Sequence, residues 1–131
     1  MDINIAITAF YASLLALLFV GLSFNVIRLR FKLKVGVGDG GERALIKAIR
    51  IHGNFSEYMP LALILLAGYE LSGADSFWLH MFGSVLVIGR VLHALGLSKS
   101  IGTSKARFLG TITMFIVLLM LAIANICVFV C

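Results

Sequence analysis

Five polar side chains recur at helical spacing in the second quarter of the chain. Arg43, Lys47, Arg50, Asn54 and Glu57 are separated by four, three, four and three residues. At ~100° per residue they fall within about an 80° stripe of one helix. The rest of that helix is mostly apolar. Three cations stand against one carboxylate, so internal pairing leaves positive charge over. That is the chemistry of an anion-binding surface, because a bound anionic ligand would neutralise the excess. The bland alternative is a structural seam, with Glu57 paired to Arg50 or to Arg90 farther along the chain. The imbalance of charge favours a cleft that takes an anionic ligand. Arg90 and His93 form a smaller pair, three residues apart and therefore on one helical face.

Other candidates carry less chemistry. His52, His80 and His93 are too scattered for a zinc site, and Cys127 and Cys131, one turn apart, have no metal-ligating partners, so no metal is expected. Gly36, Gly38, Gly40 and Gly41 resemble a phosphate-cradling loop only in composition, because no strand precedes them and no Gly-Lys-Ser/Thr follows. They read as a loop. Asn54-Phe55-Ser56 matches a glycosylation sequon but lies within a helix of the membrane region.

The elements that position these groups follow from composition. The chain has 131 residues, of which 61% are hydrophobic and only 13% charged. That is about half the charge of a typical soluble domain. So little charge cannot coat a soluble domain, so much hydrophobicity excludes disorder, and two cysteines exclude a disulfide scaffold. An integral membrane protein remains. Each membrane helix needs roughly 20 apolar residues, so four helices use nearly the whole chain. Spans are expected at about 3–27, 44–71, 76–97 and 107–130, in one domain. The first is retained rather than cleaved, because a basic stretch and no small-residue cleavage site follows it. The runs are long and do not alternate, which excludes barrel strands. The expected fold is all-α: an integral membrane four-helix bundle, left-handed, up-and-down.

Charge sets the expected orientation. Of eleven Lys and Arg, ten lie in 28–50 or 99–107, on one side of a four-span chain, while Asp2, Glu70 and Asp75 lie on the other. The positive-inside rule then places the first and third loops in the cytoplasm and both termini outside. The net charge of +5 is explained by basic groups that meet anionic lipid headgroups, so membrane lipid rather than nucleic acid is the expected partner. Pro60 lies inside the second helix and removes one backbone hydrogen bond, freeing the Ser56 carbonyl. The kink is either tolerated packing or a device that splays the cytoplasmic half for a ligand.

The stripe also carries a signature. Arg50-Ile51-His52-Gly53-Asn54-Phe55-Ser56-Glu57-Tyr58-Met59-Pro60 closely resembles the Arg-x-x-x-Asn-x-x-Glu-Tyr-x-Pro motif of the MAPEG family, the membrane-associated proteins in eicosanoid and glutathione metabolism. The resemblance extends over the chain: its length, its four spans, the basic end of the first helix, and Arg90 in the third. The short loops and the Gly-Asp-Gly-Gly segment look like the bacterial branch, which implies a bacterial inner membrane. The family implies a homotrimer of four-helix bundles that binds glutathione between neighbouring subunits. The thiol then attacks an apolar electrophile arriving from the bilayer, or reduces a lipid peroxide.

Carried over position by position, the resemblance makes Arg50, Asn54, Glu57 and Tyr58 glutathione contacts. His52 falls where relatives place another polar contact, Arg30 matches a contact from the adjacent chain, and Arg90 and His93 are added as ligand-binding candidates. Well-characterised relatives carry tyrosines where this chain has His93 and Leu97. They also use an arginine beyond the third helix to stabilise the thiolate. The nearest position here is Ser104, with Lys105 adjacent and Arg107 close by, which makes Lys105 and Arg107 the candidate activators. Two rival readings stand beside this one. A small four-helix transporter would carry its glutamate in an apolar span, whereas Glu57 lies on a cation-rich face leading to one side. A catalytically silent scaffold would keep the fold without the chemistry.

Overall fold

The computed structural model describes residues 4–99 and 105–131, with the side chains of 96–99, 106 and 107 outside that description. Four helices follow in order: α1 (Ala6–Leu33), α2 (Arg43–Leu71), α3 (Ser76–Lys99) and α4 (Lys105–Val130). Side-chain contacts fix their directions. Glu70 at the end of α2 accepts hydrogen bonds from the N–H groups of Ile7 and Thr8 at the start of α1, so these two helices are antiparallel. Tyr11 near the start of α1 bonds His80 and Ser84 in the first half of α3, so α1 and α3 run in parallel. Asn125 late in α4 donates to the Leu65 carbonyl late in α2. The result is an up-down-up-down bundle. Among the described residues α1 packs on α2 and α3, α4 packs on the same two, and α1 and α4 do not meet.

The larger of two apolar clusters among the described residues runs through the bundle. It includes Leu15 of α1, Phe55, Met59 and Leu66 of α2, Leu79 and Leu86 of α3, and Met114 and Leu121 of α4. The outward faces are equally apolar: Leu17, Phe24, Ile64, Leu119 and Ile126 are exposed. Apolar surface of this extent is stable only against lipid or another apolar surface. Ala6–Leu33, Ser76–Leu95 and Phe108–Val130 are each long and apolar enough to cross a membrane. The α2 helix has comparable length at 29 residues, but its first half carries the charged stripe.

The helix ends have local causes. Lys34 takes a left-handed conformation (φ 58°, ψ 43°) and donates its N–H to the Arg30 carbonyl, which closes α1. Gly38, Gly40 and Gly41 have positive φ and turn the chain into α2. Asp75 accepts from the Phe77 N–H at 2.9 Å and caps the start of α3. Where α3 crosses α4, Gly89 meets Gly110, and a Cβ at Gly110 would clash with the Gly89 carbonyl oxygen and with the backbone of His93. Small residues let membrane helices approach this closely. Gly110→Ala is therefore expected to destabilise the protein by about 1–3 kcal/mol, read as a lower melting temperature in detergent.

Candidate functional site

The first half of α2 presents its polar stripe in two directions. Arg50 and Glu57 point outward, with side chains 57% and 54% exposed and Arg50 Nη1 3.9 Å from Glu57 Oε1. Both tips lean over Gly53, where an added Cβ would stand 3.7 Å from Arg50 Nη1 and 3.9 Å from Glu57 Oε1. Arg43 is also exposed, and Lys47 half-buried. Asn54 is half-buried and turns inward, where its Oδ1 accepts a hydrogen bond from Arg90 Nη1 of α3. Of the two pairings that the seam reading allows for Glu57, the structure forms the one with Arg50; Arg90 goes to Asn54 instead.

Depth makes the outward pair unusual. His52 Nε2 lies 3.0 Å from Ser23 Oγ, and Phe19 packs on both His52 and Phe55 at ring separations of 4.8 and 5.5 Å. The stretch from His52 to Phe55 is therefore level with residues 19–23 of α1, inside its uncharged run, and Arg50 lies nearer the basic end that begins at Arg28. Charges carried into an apolar run are costly unless covered, so an Arg–Glu pair half open here calls for cover from ligand, water or protein.

The remaining candidates fall around this pair. Arg90 is 2% exposed, and its Nε and Nη2 have no hydrogen-bond partner among the described residues. The Tyr58 ring meets Phe115 of α4 edge-on at 5.7 Å. His93, one turn beyond Arg90, is buried where Gly110 of α4 packs against it. His52 is turned to α1, away from the outward pair. Arg30 holds the loop after α1, with Nη1 donating to the carbonyls of Gly38 at 2.8 Å and Val35 at 3.3 Å. Lys105 is exposed at the start of α4. Arg107 is in the first turn of that helix, but its side chain, like Ser104 and the side chain of Leu97, lies outside the described residues. So one chain brings together Arg50 with Glu57 and Asn54 with Arg90; it leaves Arg30 at the loop, His52 against α1 and Tyr58 against α4.

On the α1-facing side of α2, where His52 also points, runs an apolar groove about 330 Å³ in volume, lined by residues that include Ala12, Ala16, Phe19, Phe55, Met59 and Pro60. Pro60 has no N–H to cover the Ser56 carbonyl, and Ser56 itself donates to the Gly53 carbonyl at 3.0 Å. Among the described residues, no group of three or more His, Cys, Asp or Glu could hold a metal ion. The arrangement offers paired charges for a zwitterionic polar ligand on the outward side of α2 and an apolar trough on its α1 side. Sequence reasoning missed the Arg90–Asn54 bond, because thirty-six residues separate the partners and spacing within one helix cannot register them.

Comparison with known proteins bears on this geometry. The MAPEG family profile matches residues 8–127 of the chain. Inner membrane protein YecN of Escherichia coli K12 is 40% identical over 119 residues, which cover 91% of this chain and 89% of that relative. The protein of the same name in Escherichia coli O6:H1 is similar to the same extent.

Proposed function

The chain belongs to the MAPEG family, and from that premise we propose that it binds glutathione or a related thiol in the membrane and passes that thiol to an apolar electrophile. The observation that carries the reading is the outward Arg50–Glu57 pair, half exposed on either side of a stretch level with the uncharged run of α1. Glutathione answers both charges: its carboxylates suit Arg50, and its ammonium suits Glu57. Asn54 and Tyr58 are the neutral contacts on the same stretch. Arg30, His52, Arg90, His93 and the activators Lys105 and Arg107 complete the proposed set.

A second copy supplies the rest of the cover. In the proposed homotrimer, α1 of a neighbour lies over the stripe and brings its own Arg30. One small bundle has little interior room, so a site shared between copies is the natural arrangement. The basic end, with the first and third loops, faces the cytoplasm of a bacterial inner membrane.

The chemistry is nucleophilic. A free thiol titrates near ~8.5, and nearby cations favour the thiolate. The sulfur loses its proton, forms a bond to an electrophilic carbon, and the displaced group leaves with the bonding pair. With a lipid hydroperoxide as acceptor, the thiolate attacks the terminal peroxide oxygen, the alcohol leaves and the sulfur becomes a sulfenic acid, from which a second thiol displaces water to close the disulfide. The apolar groove beside Pro60 is where a substrate from the bilayer would rest.

The test is direct. Millimolar glutathione should raise the melting temperature of the purified protein, and a thiolate absorbance near ~240 nm should appear on binding at neutral pH. A well-folded sample that shows neither response contradicts the thiol reading. Binding with no thiolate signal and no turnover favours the silent scaffold. Substrate-dependent proton flux in liposomes favours a transporter.

A further inference from the structure

Arg90 holds one hydrogen bond among the described residues, to Asn54 Oδ1, while its Nε and Nη2 stay unpartnered and the residue is 2% exposed. As a stabilising element this is poor. Replacing a buried charge by an apolar side chain of similar volume is often neutral or favourable, and unmade bonds at a buried guanidinium cost more than one bond returns. Nor does Arg90 sit on the ion-paired face, since the pair with Glu57 belongs to Arg50. What Arg90 does is chemically specific. A guanidinium is a donor only. Whatever it touches on Asn54 must be the oxygen, so the contact fixes which end of the amide is which.

We propose that Arg90 is a positioning residue that sets the polarity of the Asn54 amide, so that the site recognises hydrogen-bond acceptors on its ligand. With Oδ1 engaged by Arg90, the two N–H groups of Nδ2 are left for a ligand. Asn54 follows Arg50 by four residues and precedes Glu57 by three, so its backbone shares their helical face, and the residue is half-buried rather than closed off. An asparagine free to turn over would offer a donor or an acceptor and select neither. Held by Arg90, it donates, and it adds a neutral donor beside the arginine that takes a carboxylate. The ligand class is thereby narrowed to one with a carboxylate or amide carbonyl at this point. The identification of that ligand as glutathione rests on the function proposed above; the Arg90–Asn54 coupling does not.

Two variants separate positioning from fold. Arg90→Met removes both the charge and the donor, while Arg90→Lys keeps a group that can only donate. Arg90→Met should fold, with a melting temperature at or above that of the native protein. The first readout uses ligand-free protein labelled with 15N-asparagine. The Asn54 side-chain NH2 resonance, assigned by its loss in Asn54→Asp, should move in Arg90→Met and return toward the native position in Arg90→Lys. The second readout is glutathione affinity, which should fall about tenfold in Arg90→Met, as expected for one charge-assisted contact, and recover in large part in Arg90→Lys. An amide resonance insensitive to Arg90, or equal loss of affinity in both variants, overturns the inference. A resonance that responds as stated, in a protein that does not bind glutathione, supports the coupling and counts against the thiol reading alone.

Discussion

Arg50→Ala is expected to weaken glutathione binding by about 10–100-fold while leaving the fold intact. A hydrogen bond to a charged partner is worth ~1.5–3 kcal/mol, and each 1.4 kcal/mol is about tenfold in affinity. The fold has little stake in this side chain. It is 57% exposed, and the Glu57 carboxylate stands 3.9 Å away; exposed pairs of this kind contribute ~0–1 kcal/mol. Arg50→Lys should recover only part of the affinity, because an ammonium keeps the charge but not the planar fork. Calorimetric titration of glutathione into the two variants checks this, with melting temperature as the control. A loss of stability as large as the loss of affinity would make Arg50 a structural residue.

The second large effect is on stability and lies at the other end of the bundle. Glu70 of α2 accepts from the Ile7 N–H through Oε2 at 3.0 Å and from the Thr8 N–H through Oε1 at 2.8 Å. The first N–H groups of a helix have no partner within it, and Ile5 at the N-cap position of α1 provides no side-chain cap. The carboxylate also meets the positive end of the helix dipole. Glu70→Ala is expected to cost about 2–4 kcal/mol, the sum of two charge-assisted bonds discounted for partial exposure to water. Glu70→Gln keeps one acceptor and should cost about half as much. Thermal unfolding measures the total, and hydrogen exchange at Ile7 and Thr8 measures the local fraying. Glutathione affinity per folded molecule should be unchanged, because Glu70 is some thirteen residues along α2 from Glu57, about 20 Å at ~1.5 Å per residue.

Much of this architecture was legible because the membrane enforces it. Four long apolar runs in a chain with 13% charge leave few alternatives to four helices. Their ends were less legible. The first span reads to about residue 27, yet α1 continues to Leu33, because an apolar run marks where lipid ends and not where a helix ends. Arg28, Arg30 and Lys32 continue the helix into the headgroup region, where cations near a helix C-terminus are favourable. The stop comes from the left-handed Lys34, which hydropathy does not mark.

The site divides in the same way. The stripe from Arg43 to Glu57 was readable as spacing, and Arg50 and Glu57 do share an outward face. The position of His52 follows from the same geometry: two residues from Arg50 is about 200° around the helix, which turns it to Ser23 of α1. The bond between Arg90 and Asn54 was not readable, because it depends on how α3 docks against α2. The role of Glu70 was equally hidden. Composition marked it as a charge at the far end of the bundle, and only the antiparallel docking of α1 on α2 puts the α1 amide groups over it.

The central claim is that the outward stripe of α2 is a thiol-ligand site covered by a second copy of the chain. The most direct measurement is a density map of the protein in a lipid nanodisc with saturating glutathione. The account predicts three copies, with density for the tripeptide between α2 of one copy and α1 of the next, its carboxylates toward Arg50 and Arg30 and its ammonium toward Glu57. A map in which Arg50 and Glu57 face lipid or bare protein, with the tripeptide elsewhere or absent, contradicts it.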